Sequence, residues 1–202
     1  MNQRITTLPR FYQIIWVVTG VSIAIFANFV SAYTTSPPWL WLQHGVEVVP
    51  LNVSCQIAAV LLIASVGGRA PGTVVQAIYL FLGITGLFKV FHDGGGWGYW
   101  QNPSFGYLLG FLPASWLCGS LAFRLRPTLE NLSMSCVSGL VVIHICGLFY
   151  LFCLQIMNWL QGMPFSFQAY AMQYSLNPLP SQLMLACGTA VVAYILRKLL
   201  LY

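Results

Sequence analysis

The run SMSCVSGLVVIHICGLFYLFCLQI, residues 133–156, carries no Asp, Glu, Lys or Arg. A helix needs about 20 consecutive apolar residues to cross the hydrocarbon core of a bilayer, so this stretch reads as a transmembrane helix. Working outward, hydropathy marks five further runs, at about 11–32, 51–66, 73–91, 106–123 and 181–201. The expected fold is an all-α membrane protein of six transmembrane helices, a single integral membrane domain over residues 1–202. Composition agrees, with 58% hydrophobic and 5% charged residues where a soluble domain carries about 25% charged. Only short loops remain between the spans, and no soluble catalytic domain fits in them.

Alternating the loops puts Arg4, Arg10, Arg69, Arg124, Arg126, Arg197 and Lys198 on one side and only Lys89 on the other. By the positive-inside rule the first side is cytoplasmic, so both termini are expected inside. The basic residues form no run of five or more, so the net charge of +5 encodes orientation in a lipid bilayer and no nucleic-acid partner is expected. Arg4 and Arg10 precede a run ending Val30-Ser31-Ala32, which resembles a signal-peptidase site. A secretory apolar region is ~7–15 residues long, shorter than this one, so the first run is expected to stay as a span. The six cysteines lie in apolar stretches with no CxxC pair and no Cys/His ligand spacing. They read as packing residues, with no metal or cofactor implied.

Polar groups are costly in lipid unless they face protein or a cavity, so their location carries the functional signal. They cluster outside, in the segment with His44 and Glu47, in Lys89-Val90-Phe91-His92-Asp93-Gly94-Gly95-Gly96-Trp97-Gly98-Tyr99-Trp100, and in an uncharged stretch from Asn158 to Pro180. Pro50, Pro103 and Pro180 precede the three inward-running spans, and Asn52, Ser54, Gln56, Ser104, Ser181 and Gln182 follow them. Proline suits a helix start, and three outward-facing helix N-termini would favour an anionic group such as a carboxylate. The triple glycine permits close backbone approach, with Trp97 and Tyr99 placed to stack on a ligand; the plainer reading is a tight turn in an aromatic belt. His144 lies mid-membrane and is expected to bond a neighbouring helix. Gly20-x-x-x-Ala24 in the first span has the small-residue spacing of close helix packing, either within the chain or against a coupling partner.

From about Glu47 to Tyr202 the chain resembles the BioY-type biotin-binding S components of energy-coupling-factor (ECF) importers. Asn102-Pro103-Ser104-Phe105-Gly106-Tyr107-Leu108-Leu109-Gly110-Phe111 is similar to that family's Gly-Pro-Thr-Gly-Gly-Tyr-Leu-x-Gly-Phe. The approach Leu80-Phe81-Leu82-Gly83-Ile84-Thr85-Gly86-Leu87-Phe88 follows Leu-Leu-Gly-x-x-Gly-Leu-Pro, with Phe88 in place of proline. Pro50-Leu51-Asn52-Val53-Ser54-Cys55-Gln56 resembles Pro-x-x-Val-Thr-Leu-Gln, and Gly67-Gly68-Arg69 resembles Gly-Pro-Arg. One departure bears on the ligand. Where the family's last helix opens Pro-Gly-Asp-x-x-Lys, this chain has Pro180-Ser181-Gln182-Leu183-Met184-Leu185, an amide for the carboxylate and leucine for the lysine.

The resemblance implies a non-enzymatic vitamin-binding subunit of a bacterial plasma membrane, multi-pass. Its partners would be a transmembrane coupling protein and two ATPase subunits, since this chain has no phosphate-binding loop. Expected ligand residues are Asn52, Ser54, Gln56, Lys89, Asp93, Gly94, Gly95, Gly96, Trp97, Tyr99, Ser104, Tyr107 and Gln182, with Gly20 and Ala24 expected to couple to the partner. Biotin is the expected ligand, another small vitamin the alternative. A non-transporting subunit of a larger membrane complex is the reading from a different class.

Overall fold

The structure, a computed structural model, describes residues 10–86, 90–91, 94–159 and 166–200. Helix α1 (Arg10–Phe29) leads into strand β1 (Ser31–Thr35), a 3-10 turn at Pro38–Leu40, the one-turn α2 (Trp41–His44) and strand β2 (Val48–Ser54). Then follow α3 (Gln56–Gly67), α4 (Arg69–Thr85), α5 (Phe105–Arg124) and α6 (Leu129–Ile156). The short α7 (Phe167–Ala171) passes through a π-helical turn at Met172–Leu176 towards α8 (Leu179–Leu200).

Among the described residues, four helical stretches are long and apolar enough to cross a membrane: Arg10–Phe29, Phe105–Arg124, Leu129–Ile156 and Phe167–Leu200. Every expected run contains helix, but several limits move. The second run, expected to be helical from residue 51, starts its helix at Gln56, because Leu51, Asn52, Val53 and Ser54 belong to β2. Pro50 therefore sits in a strand and opens no helix. With 12 residues at 1.5 Å each, α3 spans roughly 18 Å, well short of a hydrocarbon core about 30 Å thick. The first run likewise yields its last residues, Ser31 and Ala32, to β1. The third ends at Thr85, stopped by Gly86 in a left-handed C-cap with φ of 68°.

The hairpin forms because both arms are rich in residues that suit a pleated ribbon, Thr34 and Thr35 against Val48, Val49 and Val53. Tyr33 pairs with Pro50, Thr34 with Val49 and Thr35 with Val48. Pro50 lacks an N–H, which a two-stranded ribbon with open edges tolerates. The register slips between Ser31 and Tyr33, and Asn52 in the facing arm adopts φ of 54°, a conformation asparagine enters more readily than most residues. Ser36 closes the far end: its N–H donates to the Glu47 carbonyl at 2.8 Å and its Oγ accepts from the Glu47 N–H at 3.2 Å.

Small residues let the helices approach closely. Gly110 of α5 lies so near α6 that an added Cβ would stand 3.1 Å from Ile143 Cα, and one on Gly119 would stand 2.5 Å from the Arg69 backbone nitrogen. The Gly20 and Ala24 stripe points inward. A Cβ on Gly20 would meet Val75 at 2.8 Å and Ile63 at 3.2 Å, and Ala24 is in the main core. The expectation that these two residues face a coupling partner gives way to packing of α1 on α3 and α4.

Arg197, counted above with the cytoplasmic charges, is 2% exposed. Its Nη1 donates to the carbonyls of Ser65 at 3.2 Å and Ala122 at 2.7 Å, and its guanidinium lies 4.4 Å from the centre of the Phe123 ring. A cation at the C-terminal ends of α3 and α5 satisfies carbonyls that have no partner inside their own helices. This ties the C-terminal ends of α3, α5 and α8 together. Gln76 on α4 is the counter-case, wholly buried with neither amide atom hydrogen-bonded among the described residues.

Two stability outcomes are expected in thermal unfolding of the detergent-purified protein. Gly119→Ala lowers the midpoint clearly, because the atoms it would meet are backbone and have nowhere to go. Gln76→Met raises it, by relieving a buried unpaired amide that costs about 1–3 kcal/mol.

Candidate functional site

Because α3 stops short, the space beyond its first turn is unfilled by helix, and there the structure has a cavity of about 530 Å³. Ligand pockets usually measure roughly 300–1,000 Å³. Gln56 and Ile57 of α3 line it from below, and Ser31, Tyr33, Pro50 and Asn52 of the hairpin from another side. Its remaining walls come from Tyr79 of α4, Tyr107, Leu108 and Phe111 of α5, Ile143 of α6, Tyr174 of the π-turn and Gln182 of α8. Among the described residues, none that lines it is charged.

Of the expected ligand residues, Asn52, Ser54, Gln56, Tyr99, Ser104, Tyr107 and Gln182 line this cavity although they come from three separate stretches of chain. Gly94, Gly95, Gly96 and Trp97 do not line it, and Trp97 is 78% exposed. The glycines shape the backbone instead: Gly94 and Gly96 take φ of 119° and 101°, a region open to glycine, and the Gly96 N–H donates to the Gly83 carbonyl at 2.8 Å. What this loop gives the cavity is Phe91 and Tyr99, whose ring centres lie 4.7 Å apart. Phe91 seats in the notch left by Gly83, where an added Cβ would fall 2.0 Å from the ring. Lys89 and Asp93, with Arg4, His92 and Gln161, lie outside the described residues.

Two hydrogen-bond systems hold the polar groups. In the first, the Val90 carbonyl accepts from Asn28 Nδ2 at 2.9 Å and from the Tyr79 hydroxyl at 3.0 Å. The loop is thereby pinned to α1 and α4. Tyr79 has spent its one proton on Val90, so its oxygen accepts from Gln56 Nε2, at 2.8 Å. In the second, the Tyr107 hydroxyl lies 2.7 Å from Ser175 Oγ, Ser175 Oγ 3.1 Å from His144 Nδ1, and His144 Nε2 2.8 Å from Gln182 Oε1. His144 thus bonds neighbouring segments, as expected of a buried histidine. Ser175 reaches it from the π-turn, whose wide ring is closed by the Asn177 N–H donating to the Met172 carbonyl at 2.9 Å. Single π-turns of this kind recur at functional sites. Tyr107 is seated on α6 by Gly147, where a Cβ would fall 2.3 Å from its ring.

Asn28, Ser175 and the hairpin itself were not singled out from sequence, although Asn52 and Ser54 of its second arm were expected ligand residues. Asn28 carried a signal, as a lone amide near the end of an apolar run, and so did the β-branched Thr34, Thr35, Val48, Val49 and Val53 on either side of the Pro37-Pro38 pair. The π-turn has no sequence signature of its own.

Apolar helices packed around an open cavity whose described lining is uncharged and mixes polar with apolar side chains define a multi-pass helical membrane protein with a binding-type cavity. The model of the BioY family matches residues 17–201, and the chain belongs to that family. It is 36% identical to an uncharacterized 21.2 kDa protein of Cyanophora paradoxa over 95% of this chain and 97% of that one. It is 30% identical to a probable biotin transporter BioY of Lysinibacillus sphaericus, over 88% of this chain and 86% of that one. In fold it is similar to the crystal structure of the S-component for biotin from an ECF-type ABC transporter, with a TM-score of 0.67 at 17% identity over 92% and 90% of the two chains.

Tyr79→Phe leaves one of the two bonds to Val90 unmade and strips Gln56 of its partner. Amide hydrogen exchange in the segment from Val90 to Gln101 is expected to speed up while exchange in α5 and α6 stays as in the parent.

Proposed function

We propose that this chain is a membrane-embedded substrate-binding subunit for biotin uptake, an S component energised in trans by a coupling protein and two ATPase subunits. The observation that carries the reading is the convergence of Gln56, Tyr107 and Gln182 on one uncharged cavity in a chain of the BioY family. Biotin has a cyclic urea, which needs paired donors and acceptors, and an apolar bicycle, which suits walls of Phe91, Tyr99, Leu108 and Phe111. Among the described residues the cavity lining offers the biotin carboxylate no cation; Lys89 is the candidate partner for that group, with Asp93 and the Gly94 to Trp97 turn as further candidate ligand residues beside Asn52, Ser54 and Ser104 of the lining.

In this reading the whole chain is one membrane domain of a bacterial plasma membrane. The helices α1, α3, α4, α5, α6 and α8 are its six membrane segments, and the basic residues put both termini in the cytoplasm. The shortness of α3 fits an arrangement in which β1 and β2, paired with each other and lining the cavity, complete the outer part of its path.

Thermal unfolding in the presence of biotin and a panel of other vitamins tests the function directly. Biotin is expected to raise the midpoint, since a ligand at a hundred times its Kd adds about 2.7 kcal/mol to stability. Gln182→Ala and Tyr107→Ala are expected to lose that protection while folding as the parent does. Protection by another vitamin and not by biotin reassigns the substrate; protection by none overturns the reading.

A further inference from the structure

The two cavity-facing ends of the second hydrogen-bond system, Tyr107 and Gln182, are joined by two groups that do not line the cavity. Ser175 and His144 are 5% and 7% exposed and sit behind the wall. Each link in the chain Tyr107, Ser175, His144, Gln182 holds one proton, so the directions are set together. With the Gln182 amide turned as the structure has it, Oε1 towards the ring, that oxygen can only accept, and His144 Nε2 carries the hydrogen. A neutral imidazole then has a bare Nδ1, which accepts from the Ser175 hydroxyl, and Ser175 Oγ in turn accepts from Tyr107. What remains for a ligand is fixed: the Gln182 NH₂ as donor and the Tyr107 oxygen as acceptor.

Gln56 is oriented by an independent route. Tyr79 accepts from its Nε2, which leaves Gln56 Oε1 for the cavity as a second acceptor. The opposite tautomer of His144 would turn the first chain round, offering an acceptor at Gln182 and a donor at Tyr107. An amide side chain alone has no such preference, because its two ends are nearly the same shape.

We infer that His144 is a positioning residue for ligand selectivity: by holding the Nε2–H tautomer it turns the Gln182 amide so that the cavity presents a donor to a ligand carbonyl and acceptors to ligand N–H groups. The ligand class is a urea or cyclic amide. The inference rests on the proposed function for the choice of probe, and the state of the imidazole is measurable without any ligand.

The experiment has two arms. In protein labelled with ¹⁵N in the histidine rings, the signal lost in His144→Phe belongs to His144, and it is expected to report a protonated Nε2 and a bare Nδ1. A protonated Nδ1 in the ligand-free parent overturns the inference. In the second arm, at neutral pH, the parent is expected to hold biotin at least about tenfold more tightly than its imino analogue, whose protonated cyclic guanidine has only donors where biotin has the carbonyl acceptor. His144→Phe is expected to shrink that preference to within about threefold of unity, chiefly by weakening biotin. His144→Gln, whose amide can still donate to Gln182, is expected to restore it. Ser175→Ala, which removes the group that keeps Nδ1 bare, moves the preference as His144→Phe does and serves if the phenylalanine variant fails to fold. An unchanged preference in a folded variant overturns the positioning role. If no form of the protein binds biotin, the proposed substrate falls, and the nitrogen spectrum alone decides the inference.

Discussion

Helix α3 is too short to fill the bundle that encloses it, with 12 residues beside the 20 of α5 and the 28 of α6. In a close-packed interior a missing stretch of helix must be replaced by something or left as a void. Here the replacement is partial. The hairpin β1–β2 carries the chain over the gap, its arms paired with each other along their inner edges and lining the cavity, the kind of place where non-helical backbone is tolerated at membrane depth. The remaining space is the cavity. Close contacts elsewhere, such as Gly110 on Ile143 and Gly119 on Arg69, keep the surrounding helices from collapsing into it, and Arg197 fixes the opposite end by bonding the last carbonyls of α3 and α5.

How far this was legible in the sequence depends on the kind of signal. Long apolar runs such as residues 133–156 give their helices plainly, because length and absence of charge suffice. Hydropathy has no period, however, so it counted the Leu51, Asn52 and Val53 segment as helix when its residues belong to a ribbon. The convergence of Gln56, Tyr107 and Gln182 was anticipated from a family likeness and not from spacing, which says nothing of how α3, α5 and α8 meet. Gly20 and Ala24 show the reverse limit: small-residue spacing reveals that α1 packs closely, but not against what. The triple glycine left two readings open, close backbone approach to a ligand or a tight turn; its glycines do not line the cavity, while Phe91 and Tyr99 on either side of it do.

The polar interior is organised so that side-chain amides are oriented by groups with no freedom of their own. A backbone carbonyl, Val90, decides how Tyr79 points and through it Gln56. Buried polar networks are strong only when every member is satisfied, and both chains here end on a cavity-facing atom where a ligand would complete them. Gln76, equally buried on α4 but with neither end met among the described residues, shows by contrast what an amide costs where nothing orients it.

The widened turn at Met172–Leu176 has an implication for how this chain tolerates length changes. A π-turn is equivalent to one extra residue slipped into an α-helix, and each residue advances an α-helix by about 100°. Removing one residue there would not merely shorten the protein. It would rotate the whole of α7 about the axis of α8 and turn Tyr170 away from the Leu151 and Leu154 side chains that it packs against, so the extra residue sets which face α7 offers to α6.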